Sequence, residues 1–71
     1  MNRLGEKLRF LRQRHGFSQT QLSELLEVSQ TFVGKLERGK KTPNLVMLLK
    51  LTQIFNVSAD ILINDERTLD D

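Results

Sequence analysis

The segment Gln19–Arg38, QTQLSELLEVSQTFVGKLER, most limits what this chain can become. It reads as two short amphipathic helices joined by a tight turn. Ser18 is a good N-cap, and Gln21 three residues on completes a capping box. The helix that follows runs to about Leu26, with Leu22, Leu25 and Leu26 directed inward. Glu27-Val28-Ser29 is the turn: Val28 anchors it, and Ser29 caps the next helix. That helix covers about Gln30 to Arg38, with Val33 and Leu36 buried, and Gly39 stops it.

The remaining segments supply the other walls of a core. A first helix is predicted from about Asn2 to His15, with Leu4, Leu8 and Leu11 on one apolar face. Gly16 ends it and Phe17 drops into the core. Thr42-Pro43-Asn44 opens a fourth helix, with Asn44 or Thr42 as cap. It is expected to bury Leu45, Leu48, Leu49, Thr52 and Phe55. Ser58 caps a short fifth helix, Ala59 to about Ile63, which adds Ile61 and Leu62. Convincing strands, repeats and low-complexity runs are lacking, so the chain reads as all-α. The expected division is a domain over residues 1–63 and a polar, acidic, frayed tail over residues 64–71.

At 71 residues this is one domain, and every helix must contribute to a single core. It holds no Cys, which removes a disulfide framework and a Cys-ligated zinc site. A core without such staples fits a reducing cytoplasm. No segment has the length to span a bilayer, and the N-terminus lacks a signal-peptide apolar region. The net charge of +2 hides an asymmetry: residues 1–59 hold ten Lys/Arg and four Glu, whereas residues 60–71 hold one Arg and five acidic residues. A basic body suits a polyanion. A short helix, polar on one face and closed by Arg38-Gly39-Lys40-Lys41, suits the major groove of DNA.

Several linked pieces then resemble the helix-turn-helix family of phage repressors, Cro proteins and XRE-type bacterial regulators. They are Leu8-x-x-Leu11-Arg12, Gly16-Phe17-Ser18-Gln19, Leu22, Val28-Ser29-Gln30, Val33, Leu36-Glu37-Arg38-Gly39-Lys40, Thr42-Pro43 and Val57-Ser58. The resemblance covers about Leu4 to Ile63. It implies a compact five-helix bundle of the lambda-repressor type, with the third helix as recognition helix. It also implies an ion pair between Arg12 and Glu37. A bidentate pair there would lock the recognition helix against the first helix.

Three departures from the family pattern matter. Ser23 stands where the family has a small Ala; its hydroxyl can bond back to a carbonyl. Glu27 stands where the turn has Gly, so either a non-Gly residue takes a left-handed conformation, at about 1 kcal/mol or somewhat more, or the turn is reshaped. Gly34 lies inside the third helix, where Gly costs roughly 1 kcal/mol relative to Ala. It is read as exposed or close to DNA.

In the family pattern the first residues of the third helix meet base edges. Here these are Gln30, Thr31 and Gly34, with Lys35 a turn on. Gln suits adenine N6 and N7, the Thr methyl suits the thymine methyl, and Lys suits guanine or a phosphate. Ser18 and Gln19 open the second helix, whose N-terminal N–H groups can hold a phosphate. Arg38, Lys40 and Lys41 would flank the groove as phosphate contacts. Phe32 is placed at the core rim and Phe10 off the apolar stripe. His15 has no partners for a catalytic set and caps the first helix.

The expected function is sequence-specific binding of double-stranded DNA by a regulator, a repressor acting as a homodimer on a palindromic operator. Ala59 and Ile63 are the expected dimer contacts, with Leu69 folding back on them. The alternative is an antitoxin or other protein-binding module that grips a basic partner through the acidic tail, Asp65 to Asp71. An enzyme, a metal site and a cofactor are not expected. The chain is expected to be cytoplasmic, bacterial or phage-encoded, with no membrane partner.

Overall fold

Side-chain caps start most of the helices. In the computed structural model, which describes residues 3–67, the order is α1 (Leu4–Arg14), α2 (Gln19–Leu26), α3 (Gln30–Glu37), α4 (Leu45–Phe55) and α5 (Ala59–Ile63). The predicted start at Asn2 and the residue Leu69 lie outside the described residues. The Gln21 N–H donates to Ser18 Oγ (3.0 Å) and the Ser18 N–H to Gln21 Oε1 (2.8 Å), a complete capping box. Ser29, Asn44 and Ser58 accept from the N–H groups of Phe32, Met47 and Ile61 in the same way. Asn44, not Thr42, opens α4.

The turns follow from residues able to hold positive φ. Gly16 and Gly39 both sit at +75° and end α1 and α3. Glu27 takes φ 60°, ψ 42° at the end of α2, so the turn keeps its left-handed form without glycine. Asn56 does the same at φ 54° after α4, as suits a short polar side chain.

Leu8, Leu22, Leu26, Val33, Leu36, Leu51 and Leu62 are fully buried, drawn from all five helices. Leu4, Leu11 and Phe55 close the same core, with Phe17, Val28, Phe32, Leu48 and Ile61 packed on its rim. Phe17 and Phe55 stand 6.2 Å apart, and the His15 ring meets the Phe55 edge at 5.1 Å.

Two expectations about burial fail. Leu25 is 48% exposed, because α2 turns the Leu22–Leu26 line toward α3 and α4 and leaves Leu25 on its flank. In α4 the inward line is Met47, Leu48, Leu51 and Phe55, so Leu45 (71%) and Leu49 (50%) face out beside Val46 (64%). Sequence LVMLLKLTQIF is apolar nearly all round, and only the packed neighbours choose its inner face. The helices therefore do not spend all their apolar residues on the core.

Gly5 permits the closest approach of α1 to α3. A Cβ there would stand 2.5 Å from the Glu37 carbonyl oxygen and 2.6 Å from that of Leu36. Lys7 is almost wholly buried, and its Nζ donates to the carbonyls of Ile61 (2.8 Å) and Asn64 (2.6 Å). An ammonium is favoured at the C-terminal end of α5, where it shares the Asn64 carbonyl with the Arg67 N–H (3.0 Å). The start of the acidic segment is also fastened: the Arg3 N–H donates to Asp65 Oδ1 at 3.1 Å, and Arg67 pairs with Asp60 at 2.8 Å.

Candidate nucleic-acid interface

Helix α3 is held at both ends by groups from α1 and α2. At its C-terminal end, Arg12 Nε donates to Glu37 Oε2 at 2.6 Å and Arg12 Nη2 to Glu37 Oε1 at 3.3 Å. The two side chains are only 11% and 4% exposed. Arg12 Nη1 also donates to the Phe17 carbonyl (2.8 Å), and Gln19 Nε2 donates to Glu37 Oε1 (3.2 Å). One carboxylate therefore joins α1, the start of α2 and the end of α3. At the N-terminal end, the Thr20 hydroxyl donates to Gln30 Oε1 at 3.1 Å. That bond uses one lone pair of the amide oxygen and leaves the second lone pair and the NH₂ for a partner.

Close approach of α2 and α3 tolerates Ser23. It is buried, and its Oγ donates to the Thr20 carbonyl at 2.6 Å, so no polar atom is stranded. Val28 turns into the rim of the core and fixes the entry to α3.

The outer face of α3 is polar. Gln30 and Thr31 are exposed and Lys35 is half-buried. Arg38, Lys40 and Lys41 are exposed directly after the helix, and Ser18 is exposed at the start of α2. Gln19 is half-buried and its amide is occupied with Glu37, so a phosphate held there would meet backbone N–H groups first. Gly34 departs from its expected exposure. It is buried, and beyond the neighbouring backbone of α3 the atoms nearest to where its Cβ would stand belong to the Arg38 guanidinium.

Sequence reasoning missed Thr20, Gly5 and Lys7. Each owes its role to a partner at least ten positions away, and no local pattern marks it. Phe10 is 44% exposed with Arg14 over its ring, as its place off the apolar stripe suggested. Among the described residues no group of His, Cys, Asp and Glu could hold a metal ion, and no helix is long and apolar enough to cross a membrane.

Two capped helices joined by a left-handed turn, with the second pinned and its polar face outward, match a known pattern. The family model for HTH_3, helix-turn-helix, fits residues 8–62. The chain belongs to this family. This helix-turn-helix chain is 39% identical over 64 residues to the HTH-type transcriptional activator BcrR of Enterococcus faecalis, covering 90% of this chain and 31% of that protein. It is 34% identical to the restriction-modification controller protein C.AhdI from Aeromonas hydrophila, with a TM-score of 0.77 over 87% of this chain and 94% of the other. The DNA-binding domain of the P22 C2 repressor is 28% identical, with a TM-score of 0.81 over 92% of this chain and 86% of that domain. The chain spans 14% to 55% of the length of the first curated relatives it matches. The all-α, five-helix architecture of the lambda-repressor type is thus the one observed, and the domain is of the DNA-binding transcription-regulator class.

Proposed function

We propose that the chain binds operator DNA as a symmetric dimer and represses transcription by occupying the site. The observation that carries this is the polar face of α3, held rigid by Arg12–Glu37 and flanked by the cationic segment Arg38-Gly39-Lys40-Lys41. In this reading Gln30 and Thr31 read base edges from the first turn of α3, and Lys35 reaches a base or phosphate one turn on. Ser18 and Gln19 hold a phosphate at the start of α2, while Lys40 and Lys41 neutralise phosphates on the flank. Repression is the simpler sign, since occupancy alone excludes a competitor. The sign varies among relatives, one of which is named as an activator and another as a repressor. The same reading places the protein in a cytoplasm, free of cofactor and without catalysis. The rival reading, a protein partner on the acidic tail Asp65 to Asp71, gains no support from Asp65, which accepts from the Arg3 N–H, and Asp70 and Asp71 lie outside the described residues.

Binding measured across a salt series tests the proposal. With about four to six phosphates neutralised per protomer, a dimer should show a log–log slope of roughly −7 to −11. In the same series Gln30→Ala should cost about 1–3 kcal/mol on the operator and relax one base position. Lys40→Ala should weaken operator and random DNA alike and shallow the slope. A flat salt dependence would remove the DNA reading; identical behaviour of the two variants would remove the division between reader and anchor.

In this reading the dimer forms through the C-terminal end. Ile61 and Leu62 turn to the core, which leaves Ile63 39% exposed with Ala59 one turn earlier, half-buried. Ile63→Glu should lower operator affinity while changing thermal stability by less than about 0.5 kcal/mol. The exposed apolar stripe Leu45, Val46, Leu49 is the competing face. A tight dimer in sedimentation that survives Ile63→Glu but not Leu49→Glu would move the interface to α4. One that survives both would move it to the loop Lys40–Asn44.

A further inference from the structure

Arg38 does not hang off the end of α3. Its backbone is the C-cap, at φ −87° and ψ 1°, but its guanidinium lies a full turn back, over Gly34. Nη1 stands 3.1 Å, and Cζ and Nη2 each 3.8 Å, from the place a Cβ of residue 34 would take. This is the direction helical side chains take, toward the N-terminus of their helix. Thr31, Lys35 and Arg38 follow one another at i, i+4 and i+7, so the guanidinium lies on the same outer face. Arg38 is exposed, and no ion pair or side-chain hydrogen bond engages it among the described residues.

We propose that Arg38 is a base reader that donates two parallel N–H groups to O6 and N7 of a guanine, and that Gly34 is the slot that seats it. The inference rests on α3 lying in the major groove, as proposed above. A glycine weakens a helix interior relative to alanine, so its presence at position 34 asks for a reason. The bare backbone lets a planar cation lie close along the helix, where a side chain would lift it away. The fork of a guanidinium matches the two acceptors that guanine shows in the major groove. A guanidinium already seated on the helix also loses less freedom on binding than one held in solvent. Lys40 and Lys41, beyond the turn at Gly39, remain the phosphate contacts. Arg38 thereby leaves the anchoring set to which its place in the sequence assigned it.

Selection of bound sites from random duplexes separates the two roles. It is done with the unaltered chain, Arg38→Ala, Gly34→Ala and, as control, Lys40→Ala, alongside affinity for non-specific duplex. The sites of the unaltered chain should share a guanine in each half. Arg38→Ala should lose preference at that position alone, by roughly 5- to 150-fold, with the other positions intact. Gly34→Ala should melt no lower than the unaltered chain, yet show weaker preference at the same guanine, since its Cβ displaces the guanidinium. Lys40→Ala should keep the guanine. Arg38→Ala binding every sequence more weakly with preferences unchanged would make Arg38 a phosphate contact and overturn the proposal. A guanine preference unaltered in Gly34→Ala would overturn the slot. Binding without any base preference would overturn the reader while sparing DNA binding, and a chain that retains no duplex at all would remove both.

Discussion

Glu37→Ala should destabilise the domain by about 3–5 kcal/mol, because it strands a buried guanidinium. Arg12 is 11% exposed and has one further partner, the Phe17 carbonyl, so loss of the carboxylate leaves its charge largely uncompensated. Arg12→Ala should cost a similar amount, since Glu37, at 4% exposure, keeps only the Gln19 amide. A domain of this size has roughly 4–10 kcal/mol of stability, so either change removes much of it. The double variant should lose clearly less than the sum, by about 2 kcal/mol or more, because neither charge is then left alone. Arg9→Ala, on the exposed side of α1, should stay within about 0.5 kcal/mol of the unaltered chain. Urea melts of the four variants decide it, and simple additivity would mean that the two groups meet without being coupled.

Gly5→Ala should destabilise by about 3 kcal/mol, against a gain of about 1 kcal/mol in helix propensity. The added methyl would meet two carbonyl oxygens at 2.5 and 2.6 Å and the Glu37 carbonyl carbon at 2.9 Å. These are backbone atoms, so no side chain can swing aside. Helix α1 must move off the end of α3, which also pulls Arg12 from Glu37. Operator affinity should fall further than the stability loss alone accounts for, because the pin on α3 loosens. Thermal melts with binding at a temperature where the variant is folded would show it; a variant as stable as the parent would mean that the helices separate at little cost.

The parts legible in the sequence are those whose causes are local. Ser18 with Gln21, and Ser29 and Ser58, cap the residues that follow them, and a capping bond needs only three positions of chain. Gly16 and Gly39 end helices for a reason internal to their own backbone. The Arg12–Glu37 pair spans a long separation and became readable only through the family pattern around it. What stayed hidden depends on how helices cross. The residues of α4 are apolar on every side, so Leu51 could not be told from Leu49 until α2 and α5 packed against one flank. Gly34 looked like a gap in the surface because its cover comes from Arg38. Gln30 was legible as a polar residue opening α3, but the Thr20 hydroxyl that orients it was not.

The Lys7 amine gives the domain a closing clasp. The family model matches residues 8–62, whereas the clasp joins residue 7 to the carbonyls of Ile61 and Asn64. A fragment trimmed to residues 8–62 would keep the whole motif but lose the buried amine and one of its two acceptors. It should therefore melt well below residues 3–67, and equal melting would show the clasp to be idle. The tie that closes the domain thus lies in a lysine and an asparagine just outside the stretch that the family model matches.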